Sequence, residues 1–336
     1  MLMYEDHHTD PKPKITGLIK FIANISIMIK HKTKSEKSLK NSLCIASLFT
    51  LYTITQAKEL ALSFDDGVNP QQNPKAVQIN QQILDQLAEH QIKSIVFPSL
   101  VKIGDYQGKQ LIANWGKAGH LIGNHSALHQ NLNKSNITTQ QYIQSIQDAD
   151  LVLNTLPRYK RIYRYPFLKE GNTVEKRDAV YQWLKNNQYA LGGVSIDASD
   201  WFYNRKYLQY TKQADTEKLQ RLKQAYIWHL LNRAEYYDQL AVQTLQRSPK
   251  HVLLLHVNQI NAAFLSDVVT AFKQQGWTSI STKQAFDEPI YTQQSRNIPA
   301  GESVIWSLAK TQGKELCYPA EDAPYELENL KQHQLD

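Results

Sequence analysis

Short apolar runs alternate with longer segments of helical periodicity from Leu60 to Ile280, and this alternation restricts the chain to very few architectures. The runs at 60–64, 93–100, 120–123, 161–163, 189–196, 252–256 and 278–280 read as seven strands. Between them, 75–90, 110–118, 138–156, 174–187 and 261–275 read as helices. The first of these carries Val77, Ile79, Ile83, Leu84 and Leu87 on one side, and the third opens on a Ser/Thr-rich cap and stops at Pro157. Strand and helix in alternation call for parallel strands with helical crossovers, either closed as a barrel or open and doubly wound. From 202 to 249 no strand pattern occurs. Leu219, Leu222, Tyr226, Leu230, Tyr237, Ala241 and Leu245 recur there at near-helical spacing, which predicts one or two long helices in a lengthened crossover. The tail, 287–336, is polar and punctuated by Pro, with one helical piece near Ser303 to Lys310.

The first 57 residues differ in character. A basic run from Lys30 to Lys40 precedes an uncharged stretch, Asn41 to Ala57, that ends in small residues at the positions a signal peptidase reads. The pattern predicts a signal peptide cleaved after Ala57, with Met28 as the start of a conventional leader. The apolar stretch is shorter than the ~20 residues a spanning helix needs. Cys44 lacks the small-residue context of lipid attachment, so release without a stable membrane anchor is expected. Of the net charge of +7, the leader holds 8 Lys/Arg against 4 Asp/Glu, leaving +3 in the remainder. The basicity therefore belongs largely to targeting and does not indicate nucleic-acid binding. Only Cys317 remains after cleavage, so no intrachain disulfide is available.

Chemistry concentrates where strands end. Leu60 to Phe64 runs into Asp65-Asp66-Gly67, two adjacent carboxylates that need a counter-charge, followed by a residue that lets the backbone turn away. The third strand runs into His125 and His129, four positions apart, a spacing that puts both on one face if the loop coils into a helical turn. With Asp66 they offer two nitrogens and one oxygen, a set suited to zinc with a position left for water. Arg164 can pair with Asp65 and keep it ionised. Asp197, Asp200 and Trp201 follow the fifth strand, and His256 ends the sixth. Each has an ordinary alternative in turns, caps, surface pairs or core packing. Jointly, five strands end in residues that compose one hydrolytic site.

At these residues the chain resembles the polysaccharide deacetylases, metal-dependent carbohydrate esterases that include chitin and peptidoglycan deacetylases. Ser63-Phe64-Asp65-Asp66-Gly67, His125 to His129, Arg164 to Pro166, Asp197 to Trp201 and Leu253 to His256 follow the family's blocks in order. The resemblance implies a distorted (β/α) barrel of about seven strands. It assigns Asp65 as catalytic base, Asp66, His125 and His129 as ligands of a divalent metal, most often Zn2+, and Arg164 as the holder of Asp65. It makes His256 the general acid, tuned by Asp197. It gives the Tyr165 backbone amide to the oxyanion and Trp201 with Leu253 to the acetyl pocket. The implied domain is 58–286, with a helical insertion at 202–249 and an extension at 287–336. Where the family often has glycine soon after Arg-x-Pro, Phe167-Leu168-Lys169-Glu170 stands before Gly171.

The activity so implied is removal of N-acetyl groups from an N-acetylglucosamine-containing glycan, by a periplasmic or secreted enzyme. A silent carbohydrate-binding protein on the same scaffold, or an amidase for a small N-acyl or cyclic amide, are the rival readings. The leader reading predicts that N-terminal sequencing of the exported protein returns Lys58-Glu59-Leu60; a mature chain beginning elsewhere contradicts it.

Overall fold

The computed structural model describes residues 58–316 and 323–335; the expected leader and Cys317 lie outside these residues. The central strand is β1 (Lys58–Asp66), whose interior is almost entirely buried. One edge pairs along 59–65 with β7 (Lys250–His256). The other edge is shared: β8 (Trp277–Ser279) takes its first residues, and β2 (Ile95–Pro98) takes Ser63 to Asp66. Beyond β2 lie β3 (Leu121–Asn124), β4 (Tyr159–Tyr163) and β6 (Ala190–Leu191), completing a seven-stranded sheet in which every pair is parallel.

The sheet closes on itself through the segment after β6. Ala190 and Leu191 pair with β4, and five residues later Ile196 bridges to Leu253 of β7. The fold is thus the expected distorted barrel, and the correction concerns the fifth strand. Strand geometry does not persist from 189 to 196, because Gly192 and Gly193 interrupt it. A Cβ at Gly192 would come within 2.6 Å of the Phe97 ring, so a side chain there is excluded by the aromatic that fills the barrel.

Helices cover the outside. α1 (Ala76–Glu89) buries Ala76, Ile79, Ile83, Leu84 and Leu87. Val77, expected on that face, is exposed, and Ala76 takes its place at the spacing the helix imposes. After β2 comes the one-turn helix α2 (Leu100–Ile103), then α3 (Tyr106–Lys117), which starts earlier than expected because the Asp105 side chain caps it by accepting from Gln107 N–H. α4 (Thr139–Leu153) opens on a Thr138–Gln141 capping box, and α5 (Val174–Asn186) follows β4.

The lengthened crossover is two helices, α6 (Asp200–Lys212) and α7 (Thr216–Leu245). Asp238 of α7 accepts from His251 Nε2 at 3.2 Å, and on the other side of that ring Ser195 donates to Nδ1 at 3.0 Å. The insertion is thereby tied both to β7 and to the closing segment. α8 (Gln259–Gln274), α9 (Thr282–Ala285), α10 (Val304–Thr311) and α11 (Ala323–Gln332) complete the chain, the last not foreseen from the sequence.

The segment after 287 is stitched into the barrel. Its β9 (Ala300–Gly301) forms an antiparallel ribbon with β5 (Lys169–Gly171), Val304 N–H donates to Val194 O at 2.7 Å, and Ser303 Oγ donates to Ser195 O at 2.7 Å. These bonds supply partners to the stretch where the fifth strand fails.

Burial disfavours the Asp238 carboxylate, but His251, Ser248 and Lys58 outweigh it and lower its pKa to about 2. Its stabilising contribution is therefore complete above the unfolded value of about 3.9 and lost as pH falls through about 2. Asp238→Asn is expected to cost about 1–3 kcal/mol in urea denaturation at pH 7, and to remove the part of the acid transition that lies in that window.

Candidate active site

Asp65 and His256 are register partners on neighbouring strands, so both project from the same face at the C-terminal end of the barrel. Phe97 is the partner of Asp65 on the other side. The chain leaves β1 with Asp66 at φ 78° and Gly67 at φ 85°, and a Cβ on Gly67 would lie 2.5 Å from Ile103. Only glycine satisfies both the angle and the close approach.

Arg164 follows β4 and reaches into the barrel, with 1% of its surface exposed. Its Nη1 donates to Asp65 Oδ1 at 2.7 Å and to Ser63 Oγ at 2.9 Å, its Nε donates to Gly192 O at 2.8 Å, and its guanidinium lies 4.1 Å over the Phe97 ring. A buried carboxylate is thus held by a buried, stacked, multiply bonded cation.

His125 and His129 converge, with ring centroids 5.0 Å apart, but not through the helical turn their spacing predicts. The backbone bends instead, with Ser126 at φ 66° and His129 at φ 49°. Asn124 Oδ1 accepts from Ser126 N–H at 2.8 Å, and Ser126 Oγ accepts from His129 N–H at 3.1 Å. These short side chains replace the backbone pairing a helix would have used.

His125 Nδ1 lies 2.8 Å from the Arg164 carbonyl, which can only accept; Nδ1 therefore carries the proton and Nε2 presents a lone pair. That lone pair faces Asp65 Oδ2 at 3.6 Å and Asp66 Oδ1 at 4.0 Å. Burial pushes His125 down to about 4 despite the pull of Asp65, so the ring is neutral at pH 7. Asp66 Oδ1 is buried without a hydrogen-bond partner and sits 3.1 Å from His129 Nε2. Burial opposes ionisation of Asp66, but His129, His256 and His125 hold its pKa well below the carboxylate range. One atom each from Asp66, His125 and His129 lies within 4.8 Å of the others. The Nε2 lone pair of His125, the His129 imidazole and an unpartnered carboxylate oxygen converging on one point fit a divalent cation, and three donors leave a position for water or substrate.

These residues line a cleft of about 390 Å³ together with Lys102, Phe167, Leu168, Asp197, Trp201, Leu254 and His256. Two expected roles move to neighbouring residues. The partner of His256 is Asp200, not Asp197: Asp200 Oδ1 lies 2.6 Å from Nδ1, and Oδ2 accepts from the His256, Asn258 and Asn261 N–H groups. Asp200 starts α6 beneath the end of β7, whereas Asp197 lies before the left-handed Ser199 and faces the cleft. The leucine of the cleft is Leu254, not Leu253. Side chains alternate along β7, so Leu254 shares the face of His256, while Leu253 pairs beside Leu62 and packs in the core.

Tyr165 follows Arg164, its ring buried against Tyr142 and Tyr163, so only its backbone can serve the cleft. Trp201 is 37% exposed, with the Arg205 guanidinium 4.8 Å from its ring. Phe167 and Leu168, both at positive φ, stand where the family often has glycine nearby, and the Phe167 ring meets His129 edge-on at 4.6 Å. Lys102 was missed; its only sequence signal is its place just after a strand that ends at the site. Leu254 was recoverable from its parity with His256.

The polysaccharide deacetylase family model matches residues 53–183, the span carrying Asp65, Asp66, His125, His129 and Arg164. Over that span the chain is similar to the polysaccharide deacetylases. It is 30% identical over 146 residues, 43% of this chain and 46% of the relative, to the peptidoglycan-N-acetylglucosamine deacetylase of Bacillus cereus. It is 26% identical over 226 residues, 67% of this chain and 70% of the relative, to the peptidoglycan-N-acetylmuramic acid deacetylase PdaA of Bacillus subtilis. The chain thus spans less than half the length of the first of these. Among solved structures, it matches a CE4 family pseudoenzyme from Bacillus anthracis at 14% identity and a TM-score of 0.47, covering 69% of this chain and 66% of that one.

Burial disfavours the charged His256 ring, but Asp200, Asp66 and Asp65 overcome it and raise its pKa to about 10. Asp200→Asn is expected to lower that midpoint by about 1–3 pH units, read by NMR titration of the His256 ring. An unchanged midpoint contradicts the pairing.

Proposed function

We propose that this protein is an exported, metal-dependent deacetylase that removes N-acetyl groups from N-acetylglucosamine-containing glycans, peptidoglycan foremost. The observation that carries the reading is the convergence of Asp66, His125 and His129 beside the buried Asp65–Arg164 pair, with His256 facing them across one cleft. The family match over residues 53–183 and the peptidoglycan activities named for the relatives support the substrate class. Among the described residues no helix is long and apolar enough to cross a membrane, and the leader pattern supports a periplasmic or secreted address.

Asp66, His125 and His129 would hold the metal, for which zinc suits two imidazoles and a carboxylate. When bound, it supplies Lewis acidity toward an acyl oxygen and lowers the pKa of water. Asp65 takes the proton of the attacking water; Arg164 pairs with that carboxylate and fixes its direction through Oδ1, leaving Oδ2 toward the cleft. The Tyr165 N–H serves the oxyanion. His256, kept protonated by Asp200 through Nδ1, delivers the Nε2 proton to the departing amine, which leaves poorly as an anion. The N–C bond breaks, acetate and a glucosamine unit are released, and the proton gained by Asp65 balances the one His256 gave. Trp201 and Leu254 wall the acetyl group from water, and Phe167 holds the His129 ring from the opposite side.

Acetate release from N-acetylglucosamine oligomers and from peptidoglycan tests this directly. Release is expected to vanish on metal stripping, return with zinc, and fall at least ~10²-fold in Asp65→Asn. Tight zinc binding with no release from any N-acetylated glycan would instead identify a silent binding protein.

A further inference from the structure

Asp66 has two oxygens with different fates. Oδ1 is buried, unpartnered and aimed at His125 and His129, whereas Oδ2 lies 3.2 Å from the ammonium of Lys102. Among the described residues this is the one ion pair Lys102 makes. Its side chain is 42% exposed and that of Asp66 is 17% exposed, so the pair sits on the wall of the cleft.

The backbone builds this contact in. Lys102 is on α2, and the first two residues of that helix are bonded to the histidine loop, Leu100 N–H to Ser126 O at 3.3 Å and Val101 N–H to Ala127 O at 2.8 Å. Ser99 N–H donates to Asp66 O at 3.2 Å, and Gly67 packs directly on Ile103. The Asp66 turn, the His125–His129 loop and the helix bearing Lys102 therefore form one bonded unit. The last turn of α2 is closed at Gly104, φ 75°, where a Cβ would strike the Asn69 side chain.

We propose that Lys102 is a positioning residue for the metal site: it engages one oxygen of Asp66 so that the carboxylate offers only the other, as a single-oxygen ligand. This rests on the metal-site reading above. Two effects of an ammonium group at this place oppose each other. Its charge repels a cation nearby, so Coulomb repulsion alone makes loss of Lys102 tighten metal binding. Its hydrogen bond fixes the rotamer of a ligand, and loss of such outer partners typically weakens binding 10–100-fold. The bonded unit around Lys102 argues that orientation is the larger effect.

The test is zinc affinity of the full chain by competition with a chromogenic chelator, with no substrate present. Lys102→Met, which keeps the apolar stem, is expected to raise the zinc Kd about tenfold, and Lys102→Arg, which keeps charge and donor, to recover part of that loss. Thermal unfolding of the metal-free proteins is expected to coincide, which separates positioning from damage to the fold. A Lys102→Met protein that binds zinc as tightly as the parent, or more tightly, overturns the assignment. A parent that binds no zinc overturns the metal-site reading and this inference together.

Discussion

Two carboxylates in sequence at the end of a buried strand cannot stand without compensation, and the architecture of this cleft follows from how each charge is met. Asp65 is answered from inside the barrel by Arg164, and Asp66 from outside by Lys102 and the imidazoles. The division has a structural cause. Successive side chains on a strand point to opposite faces, so one acid turns toward the barrel interior and the other toward the loops. Had both faced one cation, one of them would have been free to take up a proton.

Holding Arg164 inside a narrow barrel has consequences elsewhere. Its guanidinium needs a flat surface, which Phe97 provides, and the Phe97 ring in turn excludes side chains at Gly123 and Gly192. Gly192 and Gly193 then break the fifth strand, and Ser195 and Ile196 rejoin the sheet through the Val252 carbonyl. The C-terminal segment closes what is left open. Glu302 N–H donates to Leu168 O at 2.8 Å, the Lys169 ammonium meets Glu302, and the β5–β9 ribbon fixes the loop that carries Phe167 against His129. The extension beyond the family's motifs therefore braces, from behind, the Phe167–Leu168 loop that lines the cleft.

Much of this was legible because strand periodicity and abrupt polar strand ends survive in a single sequence. The parallel strands with helical crossovers, the long helical insertion and the acids of β1 came from such patterns, whereas closure as a barrel came from the family resemblance. The histidines were read as a pair from a spacing that implied a helical turn, and the bend that joins them depends on Asn124 and Ser126 side-chain bonds, which periodicity does not encode. Asp197 and Asp200 were indistinguishable as partners of His256, since the choice depends on where α6 begins beneath β7. Leu253 and Leu254 differ only in strand parity with His256, and that parity places Leu254 in the cleft. Strands of two and three residues, such as β9 and β5, have no periodicity to read, so the tail's role was invisible.

The central claim is that Asp66, His125 and His129 share one cation while Asp65 stays with Arg164. Anomalous diffraction at the zinc edge, from crystals grown with the metal, tests it most directly. The account predicts one strong peak at about 2.0–2.2 Å from an Asp66 oxygen and from the ε-nitrogens of both histidines, with the Asp65–Arg164 pair intact. A peak bound by Asp65 in place of Asp66, or zinc found only outside this cleft, would contradict it.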